Sequence, residues 1–289
     1  MATRVSVCIP SYNASRLIGK TIASVLNSTY SDFELIVNDD ASTDDTREVV
    51  SSFHDERIRF FRNETNLGVP ANWNRALERA SGEFIGLLNH DDLLGLSWLT
   101  FAVHALEKYL HIGWVATAFR VSNENDQTLQ IISRFPHTGE QNRRDVFLCL
   151  AQFIGLGPFY LVRRQVLQDV GYYDVCAGPS ADTDLFLRLL LKYPLYYSSY
   201  PHVTKRQHSS NLARQANLPE TTARCLTILN KAFSNTNLPQ ELRDCERTCF
   251  IHLYRQVVAG AKVLLERGDL ESIQRTFHVL SSVGYGSWQ

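Results

Sequence analysis

Short apolar runs alternate with amphipathic segments over the first 120 residues. The four clearest runs are rich in β-branched and aromatic residues, as buried strands are: RVSVCI, FELIVN, IRFF and EFIGLL. Apolar residues recur at helical spacing between them, at Ile18, Ile22, Val25 and Leu26, at Val49, Val50 and Phe53 behind a predicted Ser42 N-cap, and at Trp73, Ala76, Leu77 and Ala80. This alternation predicts an α/β fold with a mainly parallel, Rossmann-like sheet flanked by helices.

The pattern changes further along the chain. A helix over 99–110, the strand WVATAF, a turn at SNENDQ, the helix RRDVFLCLAQF, the strand PFYLV and the helix DLFLRLLLKY follow in order. Helical spacing then dominates over 221–233, 240–267 and 270–283, with a break at Gly268. We therefore predict a domain over residues 1–210 and a helical C-terminal extension over 211–289. A helical cap, an acceptor platform and a homodimer surface are open roles for this extension.

Composition excludes several classes of protein. The net charge is −1, the pI is near 6.8, and Lys and Arg are scattered, which argues against a nucleic-acid partner. No apolar run approaches the roughly 18 residues of a membrane span, and the N-terminus lacks the apolar core of a signal peptide. The six cysteines form no CxxC pair and are predicted to be reduced. A cytoplasmic protein is expected, with peripheral contact at the inner face of the membrane left open.

Polar side chains follow three of the predicted strands. The first strand ends in PSYN, the second in NDD and the fourth in NHDD. Because ligands of open parallel sheets bind beyond the carboxyl ends of the strands, we expect these clusters to line one polar cleft. The alternative interpretation of each cluster, taken alone, is that its side chains only stabilise a turn or cap the N-terminus of a helix.

Asp91 is the strongest candidate metal ligand in these clusters. Mg²⁺ and Mn²⁺ prefer carboxylate oxygen and commonly use one or two protein carboxylates, with substrate phosphates completing the coordination. Asp92 is interpreted as a cap of the following turn and His90 as structural. The Gly19-Lys20-Thr21 triplet lies inside a helical pattern and lacks the other P-loop glycine, and no GxGxxG follows the first strand.

Several blocks of this sequence resemble the family 2 glycosyltransferases. The blocks are VSVCIPSYNASRLIGKTIASVLNSTYSDFELIVNDDASTDDT, NLGVPANWNRAL and GLLNHDDLL. That family comprises inverting enzymes of the GT-A fold that use nucleotide-diphospho-sugars. The likeness covers most of residues 3–210, and the helical extension lies outside it.

The resemblance implies nucleotide contacts. Pro10 and Tyr12 are expected along the nucleoside, and Asp39 is expected to accept a hydrogen bond from the imide of the base, which favours uracil or thymine. In the second block Asn74 matches the family and is assigned to the nucleotide, whereas Trp73 stands where many relatives have Arg.

The resemblance also implies a metal site. Asn89 and Asp91 occupy the two acidic positions of the DxD segment, with Asp91 as the direct ligand of Mg²⁺ or Mn²⁺. Asn89 replaces an acid, which lowers the local negative charge but keeps a hydrogen-bonding group. TKRQHSSNLAR resembles the segment that completes the site, with His208 as the second ligand. Lys205, Arg206 and Ser209 in the same segment are further candidates for contact with the diphosphate. The alternative interpretation of Arg206 and Arg214 is that they are solvated charges on the surface.

GPSADTDLFLRL resembles the Glu-Asp box of the family. Ala181 stands at the Glu position and Asp182 at the Asp position, which makes Asp182 the expected catalytic base. A positioned carboxylate that accepts the proton of an attacking hydroxyl contributes about 10²- to 10⁴-fold to the rate. Without the resemblance, Asp182 or Asp184 is better explained as a cap of the helix that follows.

Together these features predict an inverting transfer of sugar from a UDP- or TDP-sugar to a hydroxyl of a glycan or lipid-linked glycan acceptor, in bacterial surface polysaccharide synthesis. The alternative is a GT-A-like module that binds a nucleotide-sugar or glycan without catalysis, because Asn89 and Ala181 depart from the family pattern. A nucleotidyltransferase is a weaker third possibility, since PSYNASR is not a glycine-rich basic loop.

Overall fold

The structure, a computed structural model, describes residues 3–153, 155–208 and 217–282. The strands are β1 (Val5–Ser11), β2 (Phe33–Asp39), β3 (Ile58–Arg62), β4 (Phe84–Leu87), β5 (Leu93–Leu94), β6 (Trp114–Ser122), β7 (Thr128–Ile132), β8 (Gly139–Glu140), β9 (Tyr160–Arg163) and β10 (Leu195–Arg206). The helices are α1 (Ile18–Leu26), α2 (Thr46–Ser51), α3 (Val69–Glu78), α4 (Trp98–Lys108), α5 (Arg143–Leu150), α6 (Arg164–Val170), α7 (Ala181–Lys192), α8 (Leu218–Phe233), α9 (Gln240–Arg243), α10 (Glu246–Glu266) and α11 (Leu270–Ser282). A 3₁₀ helix spans Val175–Ser180.

The strands form one sheet in the order β3-β2-β1-β4-β9-β6-β10-β5, with β7 added to β6 and β8 to β10. The strands β3, β2, β1 and β4 are parallel, as expected. β6 and β10 are also parallel to each other, whereas β9 lies antiparallel between β4 and β6 and divides the two parallel parts of the sheet. An apolar run such as PFYLV indicates that a strand is buried, but not whether it runs parallel or antiparallel to its neighbours. The direction of a strand depends on the edge at which the chain re-enters the sheet.

Most predicted elements are confirmed, with differences at their ends. Ser42 does not cap α2, which begins at Thr46 after Asp45. The predicted helix over 240–267 is divided into α9 and α10. The break at Gly268 is confirmed, and this residue has φ +74°, a conformation that glycine adopts readily. The strands β5 and β8, of two residues each, have too few residues for a periodic signal. β7 is almost entirely exposed and therefore lacks the alternation of a half-buried strand.

Two hydrophobic clusters lie on the two faces of the sheet. One contains Val5, Val7 and Ile9 of β1 with α1 and α4. The other contains Cys8, which points to the opposite face, and joins α5 and α7 to α8 and α10. The extension therefore packs on the same core as the preceding residues, and the boundary at residue 210 stays a prediction. All six cysteines are free. Within the described residues, no helix has the length and apolar content needed to span a bilayer.

Candidate active site

The three polar clusters meet at one edge of the sheet. β1 pairs in parallel with β2 on one side and with β4 on the other, so the chain changes direction across the sheet at β1. The segments after Ser11, Asp39 and Leu87 leave the sheet at this same edge. Crevices at such switch points are where open α/β sheets bind their ligands.

Asp91 and His208 are in direct contact at this edge. The Asp91 Oδ2 and His208 Nε2 atoms are 2.9 Å apart, and the side chains are 17% and 9% exposed. β5 creates this contact, because it follows Asp91 and pairs antiparallel with β10, where Leu93 lies opposite Thr204. The two predicted metal ligands are thus brought together from distant parts of the chain.

Arg206 lies beneath residues 88–92, the segment between β4 and β5, which we call the Asp91 loop. It is buried, and its guanidinium donates hydrogen bonds to the Asp91 carbonyl, to the Leu17 carbonyl at 2.9 Å and to Thr21 Oγ1 at 2.9 Å. Burial lowers its pKa, although nearby carboxylates oppose this effect. The interpretation of Arg206 as a solvated surface charge is therefore wrong, since it anchors the loop to α1. Lys205 is exposed. Ser209 and Arg214 lie outside the described residues.

Asp92 connects the same loop to β10. It is buried, and its carboxylate accepts hydrogen bonds from the Arg206 backbone N–H at 3.2 Å and from Asn89 Nδ2 at 3.3 Å. Burial and the adjacent Asp91 raise the pKa of Asp92 well above its usual value. Asp92 is therefore a cross-link between two segments rather than a turn cap, and the Asn89 side chain is turned toward it.

Asp182 lies in the first turn of α7 and is partly exposed. Burial raises its pKa, while the Thr183 backbone N–H at 2.7 Å and the positive charge of Lys205 lower it. The same Lys205 charge lowers the pKa of Asp92. Because one ammonium acts on both carboxylates, Asp182 and the Asp91 loop share an electrostatic environment. Ala181, at the missing Glu position, is fully buried.

Asp184 has a different role from the predicted cap. Its buried carboxylate accepts hydrogen bonds from Arg188 Nε at 2.8 Å and from Lys231 Nζ at 2.9 Å. Lys231 belongs to α8, so this carboxylate joins the extension to α7. The cap interpretation of Asp184 is wrong, because its partners are side chains rather than the N–H groups of its own helix.

The predicted nucleoside residues lie at the ends of β1 and β2. Tyr12 is 44% exposed and follows β1, whereas Pro10 is buried within it, with its carbonyl 3.3 Å from His90 Nδ1. The Asp39 side chain is fully buried and accepts hydrogen bonds from the Ser42 hydroxyl and backbone N–H, the latter at 3.1 Å. Arg62 forms an ion pair with it at 3.2 Å. The contact between Asp39 and a base stays a prediction.

Asn74 contacts the backbone of Tyr173 through both ends of its amide. Its Nδ2 donates to the Tyr173 carbonyl and its Oδ1 accepts from the Tyr173 N–H, both at 2.9 Å. A nucleotide contact by Asn74 would have to replace one of these bonds. The arrangement favours a structural role, in which Asn74 holds α3 against the segment that leads to Asp182.

A group of buried amides was missed by sequence reasoning. Asn38 Nδ2 donates to Asn72 Oδ1 at 2.6 Å, and Asn63 Nδ2 donates to Asp40 Oδ1 at 2.8 Å. Asn72 Nδ2 also donates to the Ser11 carbonyl at 3.3 Å. These bonds hold the first turns of α3 and the residue after β3 against the ends of β1 and β2. The repeated Asn in the block NLGVPANWN was the available signal.

The donor set is compatible with a divalent cation that a substrate also coordinates. Among the described residues no group of three or more His, Cys, Asp or Glu side chains surrounds a common point. However, the 2.9 Å between Asp91 Oδ2 and His208 Nε2 matches two neighbouring ligands of an octahedral ion, which lie about 3 Å apart when the bonds are about 2.1 Å. Oxygen atoms of a diphosphate and of water would have to complete such a site.

Comparisons with known proteins agree with this architecture. A glucosyltransferase from Escherichia coli named UDP-Glc:alpha-D-GlcNAc-diphosphoundecaprenol beta-1,3-glucosyltransferase WfgD is 39% identical over 121 residues, 42% of this chain and 47% of the relative. The chain thus spans about half the length of the curated relatives it matches, or less.

Two solved structures share the fold. Residues 1–349 of Staphylococcus aureus TarS in complex with UDP-GlcNAc superpose with a TM-score of 0.79 at 19% identity, over 97% of this chain and 80% of the other. The mannosyltransferase PcManGT from Pyrobaculum calidifontis, in complex with GDP-Man and Mn²⁺, gives a TM-score of 0.62 at 17% identity, over 100% of this chain and 88% of the other. The model of glycosyl transferase family 2 matches residues 6–171. The chain therefore belongs to glycosyl transferase family 2 and has the GT-A fold.

Proposed function

We propose that this chain transfers a sugar, with inversion, from a UDP- or TDP-sugar to a hydroxyl group of a lipid-linked glycan in bacterial surface polysaccharide synthesis. The observation that carries the proposal is the contact between Asp91 and His208 at the carboxyl edge of the sheet, in the same electrostatic environment as Asp182. This arrangement combines a diphosphate-binding site with a carboxylate base.

The relatives support the nature of the substrates. WfgD is named for a UDP-glucose donor and an undecaprenyl diphosphate-linked acceptor, and a relative from Campylobacter jejuni, 40% identical over 113 residues, is named for a similar lipid-linked acceptor. A UDP-linked donor agrees with the proposed contact between Asp39 and the imide of uracil. Tyr12 is exposed at the adjacent strand end and is available to cover the nucleoside.

Asp182 is the proposed base of the transfer. The acceptor hydroxyl loses its proton as its oxygen attacks the anomeric carbon from the side opposite the diphosphate. Burial raises the pKa of Asp182, which makes its carboxylate a stronger base. Lys205 stabilises the ionised form, and the Thr183 N–H fixes the orientation of the carboxylate.

Asp91 and His208 are the proposed ligands of Mg²⁺ or Mn²⁺. When bound, the cation would neutralise charge on the departing nucleoside diphosphate. Arg206 and Asp92 keep this loop in place through their contacts with α1 and β10. Asn89 contributes no negative charge, so the site depends more strongly on Asp91 than a site with two carboxylates would.

Release of UDP from a panel of UDP-sugars in Mn²⁺ tests the proposal. Asp182→Asn should reduce release about 10²- to 10⁴-fold and leave UDP binding, measured by calorimetry, within about twofold. Asp145→Asn is the matched control, because Asp145 is also an aspartate in the first turn of a helix, α5, and should leave the rate unchanged. Tight UDP binding without turnover across the donor and acceptor panels would instead identify a binding module.

A further inference from the structure

One face of α10 carries basic and apolar side chains and points away from the core. The opposite face is buried through Cys249, Phe250, Leu253 and Val257. With 3.6 residues per turn, the centre of the outward face consists of residues at intervals of three and four. These are Arg247, Ile251, Arg255, Val258 and Lys262, which we call the outer stripe of α10. The stripe extends about 22 Å along the helix axis.

Apolar side chains on this face are unusually exposed. Ile251 is 41% exposed and Tyr254 is 52% exposed, and Leu265 at the end of the helix is 61% exposed. Tyr254 and Leu265 flank the outer stripe on the same side. A cluster of exposed apolar groups on one helix commonly marks a surface that contacts another molecule.

The charges of the outer stripe have one sign. Arg247, Arg255 and Lys262 are exposed, and within the part of the chain that the structure describes none of them forms an ion pair. The nearest acid on this face is Glu266, the last residue of the helix. The whole chain has a net charge of −1, so a row of bases without interleaved acids is a local feature.

We propose that the outer stripe of α10 binds the surface of an anionic phospholipid bilayer. Bases near an anionic surface gain electrostatic attraction, and apolar side chains between them enter the interface. A second copy of this chain fits less well, because a two-fold contact through the stripe would place bases against bases. The inference rests in part on the proposed function, in which the acceptor carries a lipid.

Vesicle sedimentation tests the inference with the whole chain and without any glycan acceptor. Wild-type protein should bind vesicles of phosphatidylglycerol and phosphatidylcholine, bind pure phosphatidylcholine weakly, and lose affinity as salt rises. The double variant Arg255→Gln with Lys262→Gln should bind the anionic vesicles about 30-fold more weakly. Ile251→Ser with Tyr254→Ser should weaken binding at least about tenfold, because apolar insertion is lost.

The matched control is Arg47→Gln with Lys108→Gln, which removes two exposed bases from α2 and α4 on the other side of the sheet. This control should bind as the wild type does. Absence of wild-type binding to anionic vesicles, or equal losses in the control and in the Arg255 and Lys262 variant, would overturn the inference. A dimer in sedimentation velocity that dissociates in the Ile251 and Tyr254 variant, with vesicle binding unchanged, would replace it with a subunit interface.

UDP release distinguishes this inference from the proposed function. The stripe variants should release UDP from a UDP-sugar at the wild-type rate, because α10 does not contribute to the site. Asp182→Asn should bind anionic vesicles as the wild type does. Vesicle binding without turnover would therefore contradict only the proposed function, and turnover without vesicle binding only the inference about α10.

Discussion

The Lys231 ammonium of α8 contacts the buried Asp184 carboxylate of α7 at 2.9 Å. The same ammonium contacts Asp174 at 3.0 Å, just before the 3₁₀ helix that leads to Asp182. These contacts raise the pKa of Lys231 and lower that of Asp174, although burial opposes both shifts. One side chain of the extension thus holds both ends of the segment that carries the proposed base.

Lys231→Met should destabilise the fold by about 1–2 kcal/mol. The buried Asp184 carboxylate would retain Arg188 but lose a charged donor, and the half-exposed position of Lys231 reduces the loss. Urea unfolding at pH 7 measures the change. Lys192→Met is the control, because its ion pair with Asp169 is exposed on both sides and should contribute little to stability. Equal losses in the two variants would contradict the prediction.

Asp91→Asn and His208→Asn should each weaken the effect of Mn²⁺ on UDP affinity by at least about tenfold, because each removes one of the two proposed protein ligands. Calorimetric titration of UDP with and without Mn²⁺ provides the measurement. His90→Asn is the control, since His90 contacts the Pro10 carbonyl and not the ligand pair. If all three variants respond to Mn²⁺ as the wild type does, the metal site lies elsewhere.

Lys205→Met should move the acidic limb of the pH–rate profile to higher pH. The positive charge of Lys205 lowers the pKa of Asp182, so its removal lets burial raise that pKa further. Because the ionised carboxylate is the base, activity is lost as pH falls through this pKa, and the loss then begins at a higher pH. Lys192→Met should leave the limb in place. A profile that is unchanged in Lys205→Met would argue against Asp182 as the titrating base.

His202 should make the fold sensitive to acid. Burial lowers its pKa to about 4, and its ring lies 5.0 Å from that of Phe101 and 5.3 Å from that of Trp98. Its unfolded pKa is near 6.5, so protonation favours the unfolded state. The stability that the neutral, buried His202 contributes is therefore fully present above pH 6.5. The free energy of unfolding falls by up to about 3 kcal/mol as the pH falls toward 4.

His202→Phe should remove this part of the pH dependence. The His202 Nδ1 atom is buried and has no hydrogen-bond partner among the described residues, so replacement by a phenyl ring removes no hydrogen bond of this atom. Urea unfolding of both proteins at pH 7 and pH 4.5 isolates the effect, because the other titratable groups are the same in both proteins. Parallel pH dependences would show that His202 is not the source.

Ala41→Gly should stabilise the fold by up to about 1 kcal/mol. Ala41 has φ +60°, a left-handed conformation that costs an L-residue roughly 1–2 kcal/mol, and the flexibility of glycine in the unfolded chain offsets part of the gain. Ala23→Gly in the middle of α1 should have the opposite sign and cost about 1 kcal/mol. Thermal unfolding compares the two, and a destabilised Ala41→Gly would contradict the assigned strain.

The sequence determined the family, the α/β class and most of the elements. Apolar periodicity reflects which face of each helix and strand is buried, and this information is local, so β1, α1 and α7 were predictable. The blocks around Asp39, Asp91 and Asp182 supplied the candidate residues for the proposed chemistry. β5 was not predictable, because a strand of two residues is too short to show a periodic pattern. The direction of β9 was not predictable either, because it depends on how the whole sheet is assembled.

Only the tertiary structure decided which of these residues contact one another. β5 pairs with β10 and thereby places His208 against Asp91, and the same pairing buries Arg206, which by sequence alone was equally a surface charge. Asn72 and Asn74 lie two residues apart in the same block, and nothing in the sequence distinguishes them. In the structure the Asn72 amide donates to the Ser11 carbonyl at the edge of the sheet, whereas the Asn74 amide donates to the Tyr173 carbonyl. Long-range pairing sets burial and contacts of this kind, and a local pattern of side chains does not contain that information.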